Sequence, residues 1–160
     1  MESLVQMVKL TRQEFDRGLE GVSDEDVRRR VGSMNCISWI VGHVAHQQHA
    51  FFRAWPRLAE TDSSYRSFGY DAPPSEPPLD EVMSLWRTSC IDADTWLDAA
   101  DARSLLERFN PVEPEENGGT LIVRFLFPTW SHIGEINAIR QMLGHRAPEF
   151  VDMHGWVYDE

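Results

Sequence analysis

Apolar and polar positions alternate at a helical period over most of this chain, and the period predicts four long helices. Between Ser3 and Leu19, Leu4, Met7, Val8, Phe15 and Leu19 share one side, with Lys9, Arg12, Gln13, Asp16 and Arg17 between them. That is an amphipathic first helix. Ser23, followed by Glu25 and Asp26, predicts a short capped turn. A second helix, capped by Ser33 or Asn35, runs through the apolar-rich stretch from Cys36 to Trp55 and stops at Pro56. In that stretch Ile40, Val44 and Gln47 share a stripe with His43, so an imidazole points inward among apolar neighbours.

The pattern breaks from Arg57 to Pro78, where serine, glycine, aspartate and proline predominate. A loop of that length is long for a compact helical domain, and Tyr65, Phe68 and Tyr70 predict that it packs down onto the body. The third helix spans Leu79 to about Leu97, with Val82, Leu85, Trp86, Ser89, Ala93 and Trp96 as its buried face. Residues 98–106 either prolong it or form a turn, and residues 107–119 make a polar connection. Leu121 to Phe127 taken alone has strand character. The period that continues through His132, Ile136, Ile139 and Leu143 predicts one long helix bent near Pro128; a short segment followed by a helix from Thr129 is the alternative. Gly144 closes this helix, with Arg140 in its last turn. The tail, residues 145–160, holds Phe150, Met153, Trp156 and Tyr158 and is expected to cover part of the bundle or a partner subunit.

The expected architecture is therefore all-α, a four-helix bundle forming a single domain over residues 1–160, with long connections after the second and third helices. The net charge of -11 argues against a nucleic-acid partner and against an anionic membrane surface. No apolar run approaches the roughly 18 residues of a membrane span, and no charged-then-apolar leader opens the sequence. Cys36 and Cys90 lack the spacing of a metal pair and read as reduced core thiols, which fits a cytoplasmic protein.

The candidate chemistry rests on His132 and Glu135, three apart and so on one face of the fourth helix. Facing His43 from another helix, they make three corners of a metal site with a further position open. Imidazole and carboxylate suit zinc, nickel, iron or manganese. His46 stands one turn past His43 as a replacement or supporting ligand, and His49 is expected to be exposed or packed under the long loop. Arg53 and Arg140 are the cations best placed for an anionic substrate, while Arg28, Arg29 and Arg30 read as a solvated patch offset by acids.

Ser38-Trp39-Ile40-Val41-Gly42-His43-Val44-Ala45 and Ser131-His132-Ile133-Gly134-Glu135-Ile136-Asn137-Ala138-Ile139-Arg140 resemble the two signature helices of the DinB/YfiT-like superfamily. The resemblance implies an up-up-down-down bundle with crossover loops, a homodimer, and a divalent metal, commonly zinc or nickel, held by three histidines between helices. It also implies transfer or isomerisation reactions that use a low-molecular-weight thiol. His43 and His132 match family ligands. The third position departs from the pattern: it is Glu135 at a spacing of three, so the site is either His, His, Glu or incomplete.

Two functions follow. In one, a metal holds the thiol as a thiolate, Glu135 is ligand or general base, and the substrate is a small molecule. In the other, the bundle is a non-catalytic small-ligand binder or dimeric interaction protein with a degenerate metal site.

Overall fold

The computed structural model describes residues 3–54, 60–108 and 115–149, the side chains of Arg53 and Ala54 excepted. The elements are α1 (Ser3–Leu19), α2 (Asp24–Arg28), α3 (Ile37–His49), α4 (Ser63–Arg66), α5 (Leu79–Leu97) and α6 (Gly118–Met142). A single turn of π-helix, Ala50–Ala54, prolongs α3, and a 3-10 turn, Ser104–Leu106, follows α5. The fold is all-α, and α1, α3, α5 and α6 form its bundle core. The predicted aromatic tail beyond residue 149 lies outside the described residues.

Helix α3 is the hub. Every residue from Ile37 to Ala45 is buried, which accounts for its apolar composition on all sides. It packs mainly on α5, while α1 packs on α6. Side-chain pairs set the directions. Trp130 on α6 donates from Nε1 to Thr11 Oγ1 at 2.9 Å, and nearly three turns further along α6 Arg140 reaches the carbonyl of Gly18, about two turns further along α1, so α1 and α6 run parallel. Lys9 meets Asp98, Arg12 meets Asp94 and Asp16 accepts from Trp86, so α1 and α5 are antiparallel. Gln48 bonds Ser89 and Phe52 stacks on Trp96, which makes α3 parallel to α5, whereas His43 meets His132 and Phe52 meets Phe125, which makes α3 antiparallel to α6. The order is up-down-down-up, not the up-up-down-down order that the resemblance implies. Only the connection from α3 to α5 has to cross the length of the bundle.

Sequence and structure part company at several ends. Helix α3 starts after Cys36, in the cap position without a side-chain cap, rather than after Ser33 or Asn35. The Cys36 thiol instead donates to the carbonyl of Ser75, tying the helix start to the chain before α5. Helix α6 begins at Gly118, where the Asn117 side chain accepts from the N–H of Thr120. It runs unbroken through Leu121–Phe127, so the strand reading fails: one turn of helix buries Leu121, Ile122, Phe125 and Leu126 together, which an alternating strand would not. Pro128 sits inside it and lacks only the bond to the carbonyl one turn back. In α1 the buried stripe is Val5, Val8, Thr11, Phe15 and Gly18, which leaves Met7 at the edge and 37% exposed.

A polar seam lies within the core. Arg12 donates to Gln48 Oε1 at 2.7 Å and pairs with Asp94 at 2.5 Å, and Gln48 in turn donates to Ser89 and to the Cys90 sulfur. Burial pushes the Cys90 thiol up to about 11, and both cysteines are free. Burial thus disfavours the thiolate of Cys90, the form that a nucleophile requires.

Candidate functional site

The long loop before α5 folds back over α3. Tyr65 and Phe68 are buried as its anchors, whereas Tyr70 is 91% exposed and takes no part in the packing its sequence suggested. Tyr65 stacks on His49 with ring centroids 4.3 Å apart, so His49 is packed under the loop. Phe68 lies directly on Gly42: a Cβ at that position would come within 2.5 Å of the ring. The glycine before His43 thus lets the loop touch the helix backbone.

That contact delivers a carbonyl to the histidine. His43 Nδ1 donates to the Phe68 carbonyl at 2.7 Å, because a carbonyl oxygen can only accept. The proton is thereby placed on Nδ1, and Nε2 keeps its lone pair. Trp39, one turn earlier, stacks on the imidazole with centroids 5.1 Å apart and planes within 10°. Gln47, one turn later, donates from its amide to Nε2 at 3.0 Å. Burial is the main cause that lowers the His43 pKa, with the neighbouring His132 and His46 acting in the same direction and the Phe68 bond against it.

His132 faces His43 from α6, edge to face, with centroids 5.0 Å apart. Two imidazoles that share one tetrahedral ion through nitrogens at about 2 Å have centroids about 5 Å apart, a spacing that this pair has in common with ordinary edge-to-face ring contacts. Glu135 accepts from His132 Nδ1 at 3.0 Å, which leaves the other ring nitrogen for a ligand. The third donor is less developed. Among the described residues no group of three or more His, Cys, Asp or Glu side chains gathers round one point. Glu135 stands beside His132, bonded to its Nδ1. His46 lies parallel to His43 at 6.4 Å, donating from Nδ1 to the Tyr65 carbonyl at 3.1 Å. Its pKa is also lowered, chiefly by burial.

Of the other predicted site residues, Arg140 lies elsewhere. It donates to the carbonyls of Gly18 and Glu20 and closes the end of α1 against α6, because those carbonyls are unpaired at a helix terminus. The Arg53 side chain lies outside the described residues. His145 is hydrogen-bonded to Asp26, and Arg28 pairs with Asp24 and Arg29 with Asp26 as ion pairs near the surface. Sequence reasoning missed Trp39 and the Phe68 carbonyl. Trp39 stands one turn before His43 and was open to the same periodic argument; nothing in the sequence links Phe68 to His43.

The sequence profile of a family described as Mycothiol-S-transferase matches residues 3–144. The chain belongs to the mycothiol-S-transferase family. This family is part of the DinB-like superfamily, in agreement with the resemblance of the two signature helices. Membership makes the protein a thiol-dependent transferase acting on a small molecule. A comparison with curated proteins finds no match. Among solved structures, the chain is similar to one titled "Crystal structure of the conserved protein of locus from Enterococcus faecalis", at 12% identity and a TM-score of 0.64, over 90% of this chain and 99% of that one. That likeness concerns the fold alone. No helix among the described residues is long and apolar enough to cross a membrane.

The two lowered histidines also give a mycothiol-S-transferase of this sequence a defined acid response. Below their ordinary value of 6.5 the unfolded chain binds protons that the folded chain resists, so their contribution is present above about pH 6.5 and is lost as pH falls through the folded values. Chelator-treated protein should melt at lower temperature at pH 5 than at pH 7.5, and His46→Gln should flatten that slope. An unchanged slope would remove His46 from the account.

Proposed function

We propose that this protein transfers a low-molecular-weight thiol of the mycothiol type to a small electrophile at a divalent-metal site between α3 and α6. His43 and His132 would hold the ion, zinc or nickel most readily given imidazole donors, with iron and manganese less favoured. Glu135 orients His132 and is the nearest candidate to complete the set, and His46 is held in reserve under the loop. When bound, a divalent ion supplies Lewis-acid stabilisation of a thiolate near neutral pH. The chain's own residues prepare for this. The Phe68 carbonyl fixes the tautomer of His43, Trp39 fixes its plane, and the loop anchored by Tyr65 and Phe68 covers the helix from water. Arg53 would meet an anionic substrate. The same reading has one domain over residues 1–160, its tail packed on the body, acting as a homodimer in the cytoplasm on a small molecule, without nucleic-acid or membrane partners.

The observation that carries the proposal is the edge-to-face pair of His43 and His132 with both Nδ1 atoms bonded to oxygen acceptors, since that pattern leaves lone pairs on both outer nitrogens, the one on His43 accepting from Gln47. A metal-free binder built on a His43–Glu135 bond is less well supported, because Glu135 bonds His132 and His43 bonds Phe68 and Gln47. The test is to strip the protein with a chelator, restore zinc, nickel or manganese in turn, and follow consumption of mycothiol with a reactive electrophile. Activity that vanishes on stripping and returns with one of these ions is the expected result. Full activity in the stripped protein would sink the metal site while leaving the transferase in place.

A further inference from the structure

Arg140 is a buried cation that no ion pair among the described residues neutralises. It is 7% exposed, its Nη1 donates to the carbonyls of Gly18 and Glu20, and its Nη2 donates to the carbonyl of Arg146. A guanidinium has five N–H donors, so these three bonds leave two unused. One belongs to Nε, which is buried without a hydrogen-bond partner among the described residues. The other belongs to Nη2, whose bond to the Arg146 carbonyl is long at 3.3 Å. The carbonyls at the end of α1 supply only partial negative charge. Burial lowers the pKa of Arg140, Glu20 acts the other way, and an arginine remains charged throughout. A buried charge with unused donors is costly until an anion meets it.

The same residue lines a recess. A cavity of about 360 Å³ at this end of the bundle is walled by Arg140, Arg17, Glu20, Arg146, Pro148 and Glu149. Arg17 and Arg146 already have carboxylate partners, Glu14 and Glu149. Nε and Nη2 share one edge of the guanidinium plane, and such an edge takes both oxygens of a carboxylate at once. We propose that the recess at the ends of α1 and α6 binds a small carboxylic acid, with its two oxygens on Nε and Nη2 of Arg140. The wall selects the class of anion: Glu20 and Glu149 oppose a phosphate dianion more strongly than a singly charged carboxylate. The long bond to the Arg146 carbonyl is the one that yields to the ligand. His132 stands a little over two turns earlier on α6, about 12 Å along the axis. The recess is thus separate from the histidine pair, and the inference does not depend on what that pair holds.

Replacing Arg140 would also remove the bonds that close α1 on α6, so the test keeps Arg140 and changes the wall. The whole chain, labelled with nitrogen-15 in its arginine side chains, is titrated at pH 7.5 with sodium acetate in place of sodium chloride at constant ionic strength. The Arg140 Nε–H resonance is expected to shift and to saturate, with a dissociation constant of about 1–10 mM for so small a ligand on one charged fork. Glu20→Gln removes a like charge from the wall and leaves the backbone carbonyl that Arg140 uses. That variant is expected to bind acetate about threefold tighter. An Arg140 that serves only to close the helix end gives no shift, or one that grows without saturating, and either result overturns the site. Saturable binding that Glu20→Gln leaves equal or weaker puts the acetate elsewhere and overturns it too. Inorganic phosphate titrated in the same way is expected to bind less tightly than acetate; tighter binding by phosphate overturns the carboxylate class.

Discussion

Replacing His43 with alanine is expected to lower kcat/KM for thiol transfer at least about a hundredfold, since loss even of groups that merely orient a metal ligand costs roughly 10- to 100-fold. The side chain joins three elements at once. It bonds the loop at Phe68, stacks on Trp39 and meets His132 across the helix interface. Its removal therefore also strands a buried carbonyl, at about 1–3 kcal/mol of stability. Comparing kcat/KM with the melting temperature separates the two losses. His43→Gln, which keeps a donor for Phe68, should recover stability without recovering activity. Recovery of activity in that variant would remove His43 from the reaction.

Gly42→Ala should be nearly as damaging although it adds only a methyl group. The new Cβ would come within 2.5 to 2.7 Å of three atoms of the Phe68 ring, well inside contact distance. Because Phe68 is buried, its ring has little room to retreat, and overpacking of this kind costs about 1–3 kcal/mol. The more telling consequence is local. Pushing Phe68 outward lengthens the bond from its carbonyl to His43 Nδ1, so the tautomer and plane of the imidazole are no longer held. A denaturant midpoint and an activity assay on the same variant measure both effects. Gly134→Ala on α6, where a Cβ meets nothing within 4 Å, is the control that should change neither. Equal behaviour of the two variants would show that the loop does not press on α3.

The legible part of the site was its periodic part. His43 and His132 were both found from apolar residues recurring one turn away, and the structure sets their rings against each other. His132 and Glu135 at a spacing of three do meet, since that spacing brings side chains together on any helix. What periodicity could not convey was the partner of each polar atom. Glu135 turned to His132 rather than to a shared centre, His46 turned to the Tyr65 carbonyl, and Arg140, placed by its charge near a substrate, was drawn to the open carbonyls at the end of α1. For His46 and Arg140 a near backbone acceptor won over a distant role, because a buried donor without a partner is costly wherever it lies, and Glu135 met the imidazole one turn away on its own helix.

By itself, then, the sequence determined four long helices, the inward face of α3, the loop between α3 and α5 and the two histidines, all properties of local spacing and composition. The tertiary structure decided the up-down-down-up order, the start of α3 at Cys36 and the contact of Phe68 with Gly42. These depend on which surfaces meet across the bundle, and residues that meet there are separated by tens of positions in the chain, beyond the reach of a pattern that repeats every turn.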